Sequence, residues 1–147
     1  MEELIIHCRK VVGGKASGPA LVSYENIGCF GSLDESTGVI TERGHGLHGV
    51  CIKDQIFLFP AAKGSSGWSG TFHMLKVNRV APKAMLIVTI DAKSALGAVL
   101  CNCPTVSDFD QDPFSVIHTG DWVEVDADNG IVVVKSKSKG DGNGVSY

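Results

Sequence analysis

The sequence is short of charge. Only 20% of its 147 residues are Asp, Glu, Lys or Arg, and the net charge is −3. There is no basic stripe, so nucleic acid is excluded as an expected partner. No apolar run approaches the roughly 18–20 residues that a membrane span requires. The opening "MEELIIHCRK" places acids first and carries no long apolar stretch, which argues against a signal peptide and for a cytoplasmic protein. Cysteine pairing is lacking too. Cys8, Cys29, Cys51, Cys101 and Cys103 are odd in number and never spaced CxxC. A disulfide framework is not expected, and the cysteines read as small buried apolar residues. A cluster held by this chain alone would need more thiolates at closer spacing.

What is present suits one domain with a real core. The chain is 44% hydrophobic, and its length falls in the single-domain range. "LIIHCRKVV" (residues 4–12) reads as a first strand, "GGKASGP" (13–19) as a glycine-rich loop, and "ALVSY" (20–24) as a short strand. "DESTG" predicts a turn with Gly38 at positive φ. "VCIKDQIFLFP" (50–60) alternates and then becomes continuously apolar, as a strand entering the core does.

A helix is predicted over 69–80, from the spacing of Met74, Val77 and Val80 beside Phe72 and Leu75. Ser66 or Ser69 would cap it. "KAMLIVTI" (83–90) reads as a buried strand and "AKSALGAVL" (92–100) as a short helix. Asp128-Asn129-Gly130 marks a hairpin turn. Residues 1–134 form the expected domain, and the apolar-poor stretch 135–147 reads as a disordered tail. The fold class is α+β: a curved sheet or small barrel with flanking helices.

The candidate chemistry centres on "KGSSGWSG", residues 63–70, between a strand and a helix start. It is neither a P-loop nor a nucleophile elbow, because the lysine precedes the glycines and the glycine spacing is wrong. An ordinary turn accounts for the pattern. So does a serine exposed beside free helix N–H groups, its alkoxide favoured by the helix and by Lys63. His45 and His48 have H-x-x-H spacing, but two ligands do not make a metal site, and a structural role is expected. His73 reads as a residue at the edge of the site. Asp108, Asp110 and Asp112 lack the glycine and closing glutamate of a calcium loop. Lys15 and Ser17 sit in the first glycine-rich stretch, where exposure is the default.

The order of segments adds weight. "GGKASGPALVS", "GCFGSLDESTGVI", "IFLFPAAKGSSGWSG", "NRVAPKAMLI" and "ALGAVLCNCP" together resemble the small subunits of AcnX-type dehydratases, a branch of the aconitase superfamily. The resemblance implies a swivelling β/β/α domain like the mobile domain of aconitase. It implies a larger catalytic subunit that carries an iron–sulfur cluster on its own cysteines, with the active site between the two chains. Ser65 would be the catalytic base. Ser66, Gly64, Lys63 and Ser17 would bind the substrate. That substrate is a small 3-hydroxy acid: cis-3-hydroxy-L-proline, dehydrated to Δ1-pyrroline-2-carboxylate, or mevalonate 5-phosphate. Likeness to the bacterial two-subunit branch and scattered arginines favour the hydroxyproline.

The chain departs from aconitase at Gly67-Trp68, where aconitase has an arginine. It departs from many relatives at His45-Gly46-Leu47, where they carry His-Pro-Leu. The competing reading is a non-catalytic module with an anion-binding glycine loop.

Overall fold

The computed structural model describes residues 3–136. Eight strands form a mixed sheet in the order β1-β8-β7-β3-β4-β5-β6-β2. They are β1 (Glu3–His7), β2 (Arg9–Val12), β3 (Lys15–Val22), β4 (Ile56–Phe59), β5 (Ala84–Ile87), β6 (Thr105–Ser107), β7 (Trp122–Asp126) and β8 (Ile131–Lys135). Three helices accompany them: α1 (Trp68–Val77), α2 (Ala92–Cys101) and α3 (Pro113–Val116).

The sheet has two characters. From β3 to β6 the strands run parallel, whereas β1, β8, β7 and β3 pair antiparallel. β3 belongs to both halves. Its Lys15–Pro19 portion pairs with β7, and Ala20–Val22 pairs with β4.

The parallel strands are buried on both faces, which explains their unbroken apolar runs. Phe57, Phe59, Met85 and Ile87 point to a cluster shared with Trp68, Phe72, Leu75 and Ala98 of the helices. Ile56, Leu58, Ala84 and Leu86 point the other way, onto Val123, Val125, Val132 and Val134 of the antiparallel half. The two halves therefore fold over one another, with α1 and α2 packed side by side on the far face. The expected α+β class with a curved sheet is what the chain adopts.

Several expectations are corrected. The single strand over 4–12 is two strands, broken at Cys8, whose N–H donates to Gly130 O (2.9 Å). β1 and β2 stand at opposite ends of the strand order, so this one-residue corner brings the two sheet edges together, as in a small barrel. The loop over 13–19 is instead mostly strand, because β7 offers it a complete antiparallel partner. The strand over 50–60 shrinks to Ile56–Phe59. The Lys53-Asp54 turn, with Asp54 at φ 62°, interrupts it, and Cys51 makes only an isolated bridge to Val39.

The burial stripe of α1 is Trp68, Thr71, Phe72 and Leu75, and Val77 is exposed. Gly38 does take positive φ (77°). Cys29, Cys101 and Cys103 are buried as expected, but Cys51 is exposed. Of the expected tail, Lys135 lies in β8, and residues 137–147 fall outside the described residues.

Candidate functional site

The serine loop leaves the C-terminal end of β4 and runs into α1. Gly64 turns the chain at φ 100°, a conformation that a Cβ would strain. Ser65, Ser66 and Gly67 then lie exposed. One carbonyl holds the loop from both sides. Ile27 O accepts from the Lys63 N–H (2.9 Å) and from the Trp68 Nε1–H (2.9 Å).

Trp68 is fully buried, stacked on Phe72 with centroids 3.9 Å apart. Its ring fills the space left by Gly97 of α2, where a Cβ would lie 2.4 Å from the indole. Trp68 thus anchors the start of α1 to the core.

Neither Ser66 nor Ser69 caps α1. The N-cap is Gly67, with no side-chain cap bond, and Ser69 Oγ donates to Ser66 O (3.3 Å). Ser65 closes the first turn instead. Its Oγ accepts from the Gly67 N–H (3.2 Å), and its carbonyl accepts from the Trp68 N–H (3.1 Å). A backbone donor therefore already points at the oxygen that would become an alkoxide. Such a donor, with the helix N-terminus behind it, favours the charged form of the oxygen it faces.

Beside the loop lies an open depression of about 450 Å³, lined by Gly64, Ser66, Ser69, Asp91, Lys93 and Leu96 among others. Its far wall is the N-terminus of α2. There Asp91 and Ser94 form a reciprocal capping box. The Lys93 hydrogen bond, followed by those from Ser94, holds the Asp91 carboxyl down at about 2 against the opposing effect of burial. Asp91 was missed, although an Asp directly before a helix start is an N-cap signal.

Lys63 is not a free charge beside Ser65. Its Nζ donates to Glu42 Oε2 (2.6 Å), so much of its field is cancelled by the carboxylate. Glu42 was also missed, because nothing in the local sequence links it to the loop. Ser17 is placed elsewhere. It lies in β3 and pairs with Glu124 of β7, five residues before the Val22–Leu58 pair at the loop end of the sheet. That is about 16 Å back along the strand. Strand pairing, not loop closure, fixes it there.

His45 is buried, with Nδ1 accepting from the Leu47 N–H (3.0 Å) and Nε2 3.2 Å from Asn26 O. It props the loop that contains it, in keeping with the structural role expected. His48 Nδ1 lies 3.1 Å from Glu42 O, and His73 is exposed on α1. Among the described residues, no three His, Cys, Asp or Glu side chains are gathered to hold a metal. The residues present do not fit an iron–sulfur cluster.

The fold and loop together match known proteins. Residues 5–134 match the family described as the aconitase X swivel domain. The chain belongs to that family. It is 38% identical to the phosphomevalonate dehydratase small subunit of Methanococcoides burtonii, over 90% of this chain and 96% of the relative. It is 40% identical to the protein of the same name from Thermococcus sibiricus, covering 86% and 95%. A crystal structure of Thermococcus kodakaraensis aconitase X in its holo form superposes with a TM-score of 0.84 at 36% identity, covering 89% of this chain and 98% of the other. The chain thus stands among the small subunits of aconitase X-type dehydratases, which are hydro-lyases. No helix among the described residues is long and apolar enough to cross a membrane.

Proposed function

We propose that this chain is the small subunit of a phosphomevalonate dehydratase, and that Ser65 is its catalytic base. The observation that carries the assignment of the base is the Gly67 N–H aimed at Ser65 Oγ, in an exposed loop pinned on both sides to Ile27 O. Ser65, as alkoxide, takes the proton from the carbon next to the substrate carboxylate. The electron pair left behind forms the carbon–carbon double bond, and the hydroxyl on the next carbon departs, so that water is lost overall. Ser66 and Gly64 line the depression in which the carboxylate would rest. The departing hydroxyl is left to the larger subunit, to which the resemblance assigns the iron–sulfur cluster.

The choice of substrate rests on the relatives. Those at 38% and 40% identity carry the phosphomevalonate name, and the hydroxyproline expectation finds no support in them. We place the larger subunit over the serine-loop end of the domain. Phe30, 89% exposed, follows Cys29, whose Sγ borders Gly64. Leu96, 51% exposed, lines the depression with Ser66. Covering these apolar groups would also exclude the water that weakens the serine as a base. The free thiols suit a reducing compartment, and so the cytoplasm.

The test is an anaerobic assay of this chain co-expressed with its larger subunit and supplied with iron. Turnover of phosphomevalonate and not of cis-3-hydroxy-L-proline is the expected result. The reverse preference overturns the substrate assignment and leaves the serine mechanism standing.

A further inference from the structure

Glu42 lies far from the serine loop in sequence, yet it supplies the side-chain partner of the loop's first residue. Its carboxylate Oε2 accepts from Lys63 Nζ at 2.6 Å. The Glu42 backbone is held in turn: its N–H donates to Ser32 O (3.3 Å) and its carbonyl accepts from the His45 N–H (3.3 Å). The side chain is three-quarters buried, and Oε1 is buried without a hydrogen bond of ordinary geometry. The Lys63 hydrogen bond keeps this carboxyl below the usual range, despite the cost of burial.

An under-satisfied buried oxygen costs free energy, and the Lys63 ammonium is the group that offsets most of it. The lysine stem is guided as well. Its Cε passes Gly28, where a Cβ would lie 3.6 Å away. The Lys63 side chain remains 43% exposed. An ammonium has three donors, and one of them is committed to Glu42.

We propose that Glu42 is a positioning residue for the dehydratase reaction: it fixes Lys63 so that the ammonium's remaining donors meet an anionic group of the substrate at the Ser65–Ser66 loop. This rests on the reading of the loop as the substrate site. Glu42 touches neither the substrate nor Ser65 and acts through Lys63 alone. Pairing also confines the ammonium, a flexible point charge on a four-carbon stem, to one place before substrate arrives. It leaves stabilisation of the Ser65 alkoxide to the Gly67 N–H and the helix N-terminus.

The test is a double-mutant cycle in the assembled two-chain complex, with Glu42→Gln, Lys63→Ala and the pair. With phosphomevalonate as substrate, Glu42→Gln raises KM about tenfold and leaves kcat within about twofold, the signature of lost binding rather than lost chemistry. Lys63→Ala raises KM at least as much, and the double variant equals Lys63→Ala. Independent, additive effects overturn the proposal, because a merely structural Glu42 would act whether or not Lys63 is present.

Amide hydrogen exchange of Ser65 to Trp68 in the substrate-free complex supplies a second readout. It rises to the same extent in all three variants if the proposal holds, and unchanged exchange in Glu42→Gln overturns it. Should the wild-type complex leave phosphomevalonate unconverted, the substrate assignment falls. The exchange experiment then decides the role of Glu42 without it.

Discussion

Two glycine-rich stretches, 13–19 and 63–70, look alike as sequence and differ as structure. Both carry a lysine, glycines and at least one serine beside an apolar run. The first becomes strand from Lys15 onward, with Ser17 and Gly18 paired to Glu124 and Val123. The second stays a loop and ends in a helix. What separates them is the partners each meets and where the positive φ falls, at Gly14 (121°) ahead of β3 in the first and at Gly64 inside the loop in the second, not composition. Gly18 has ordinary strand conformation and sits where a Cβ would meet Asp54 O at 3.4 Å, so its smallness serves packing. Gly64 stands at φ 100° and exists for the turn. The lesson is that small residues signal a close approach or an unusual φ, and only the neighbours say which.

The comparison can be broken most directly at the serines. Ser65→Ala in the assembled enzyme should cut kcat by about 10³-fold or more, the scale of a lost general base. Ser17→Ala should stay within about threefold, since it lies at the other end of β3 and strand pairing is indifferent to its hydroxyl. Steady-state kinetics of the two variants side by side would reverse the roles of the two stretches if Ser17 proved the costlier.

The next largest effect is on assembly. Phe30→Asp, beside the second stretch, should weaken association with the larger subunit by about 30-fold or more, the cost of an aromatic anchor. A Kd from titration calorimetry that stays unchanged would move the interface away from the loop.

Backbone strain sharpens the comparison further. Gly64→Ala should cost about 1–3 kcal/mol of stability through its positive φ. Gly18→Ala should cost less than about 1 kcal/mol, the lowered entropy of the unfolded chain offsetting the tight contact. Denaturant melts of both variants would check this.

The smallest effect concerns acid. Asp91, beside the second stretch, titrates at about 2 in the folded chain, below its usual unfolded value. A carboxyl with a depressed folded pKa stabilises the fold above the unfolded pKa. That contribution is lost as pH falls from about 4 towards 2. Asp91→Asn should flatten the stability profile in that window while keeping the cap. The difference is small, because the side chain is 43% exposed.

Much of the fold was legible because local pattern and tertiary role agree in places. The all-apolar cores of β4 and β5, the Asp128–Gly130 hairpin turn and helix α2 all follow from run length and turn chemistry. Where they disagree, the pattern misled. Residues 4–12 read as one strand because Cys8 carries no breaker signal, and the corner there is imposed by the Gly130 carbonyl on β8's approach. Of the helical spacing read over 69–80, Phe72 and Leu75 do turn inward, but Trp68 joins them while Val77 faces out and Val80 lies past the helix end, because the pocket beside Gly97 accepts the indole.

The candidate site divides in the same way. The loop could be singled out from one contiguous stretch, and the resemblance then named Ser65, Ser66 and Gly64 within it. Trp68 and Glu42 could not be assigned roles from the chain alone, and the capping signal of Asp91 does not reveal that it faces the loop. Trp68 reaches back to Ile27, Asp91 faces the loop from another helix, and Glu42 reaches Lys63 across a fold of irregular backbone.

By itself the sequence determined the fold class, the continuously apolar strands and the serine loop, all of which are encoded by neighbours along the chain. Only the tertiary structure decided that Ser17 lies about 16 Å of strand away, that Lys63 is paired and that one backbone carbonyl braces the loop. These are contacts between distant segments, and their energies depend on a geometry that exists only once the sheet has closed.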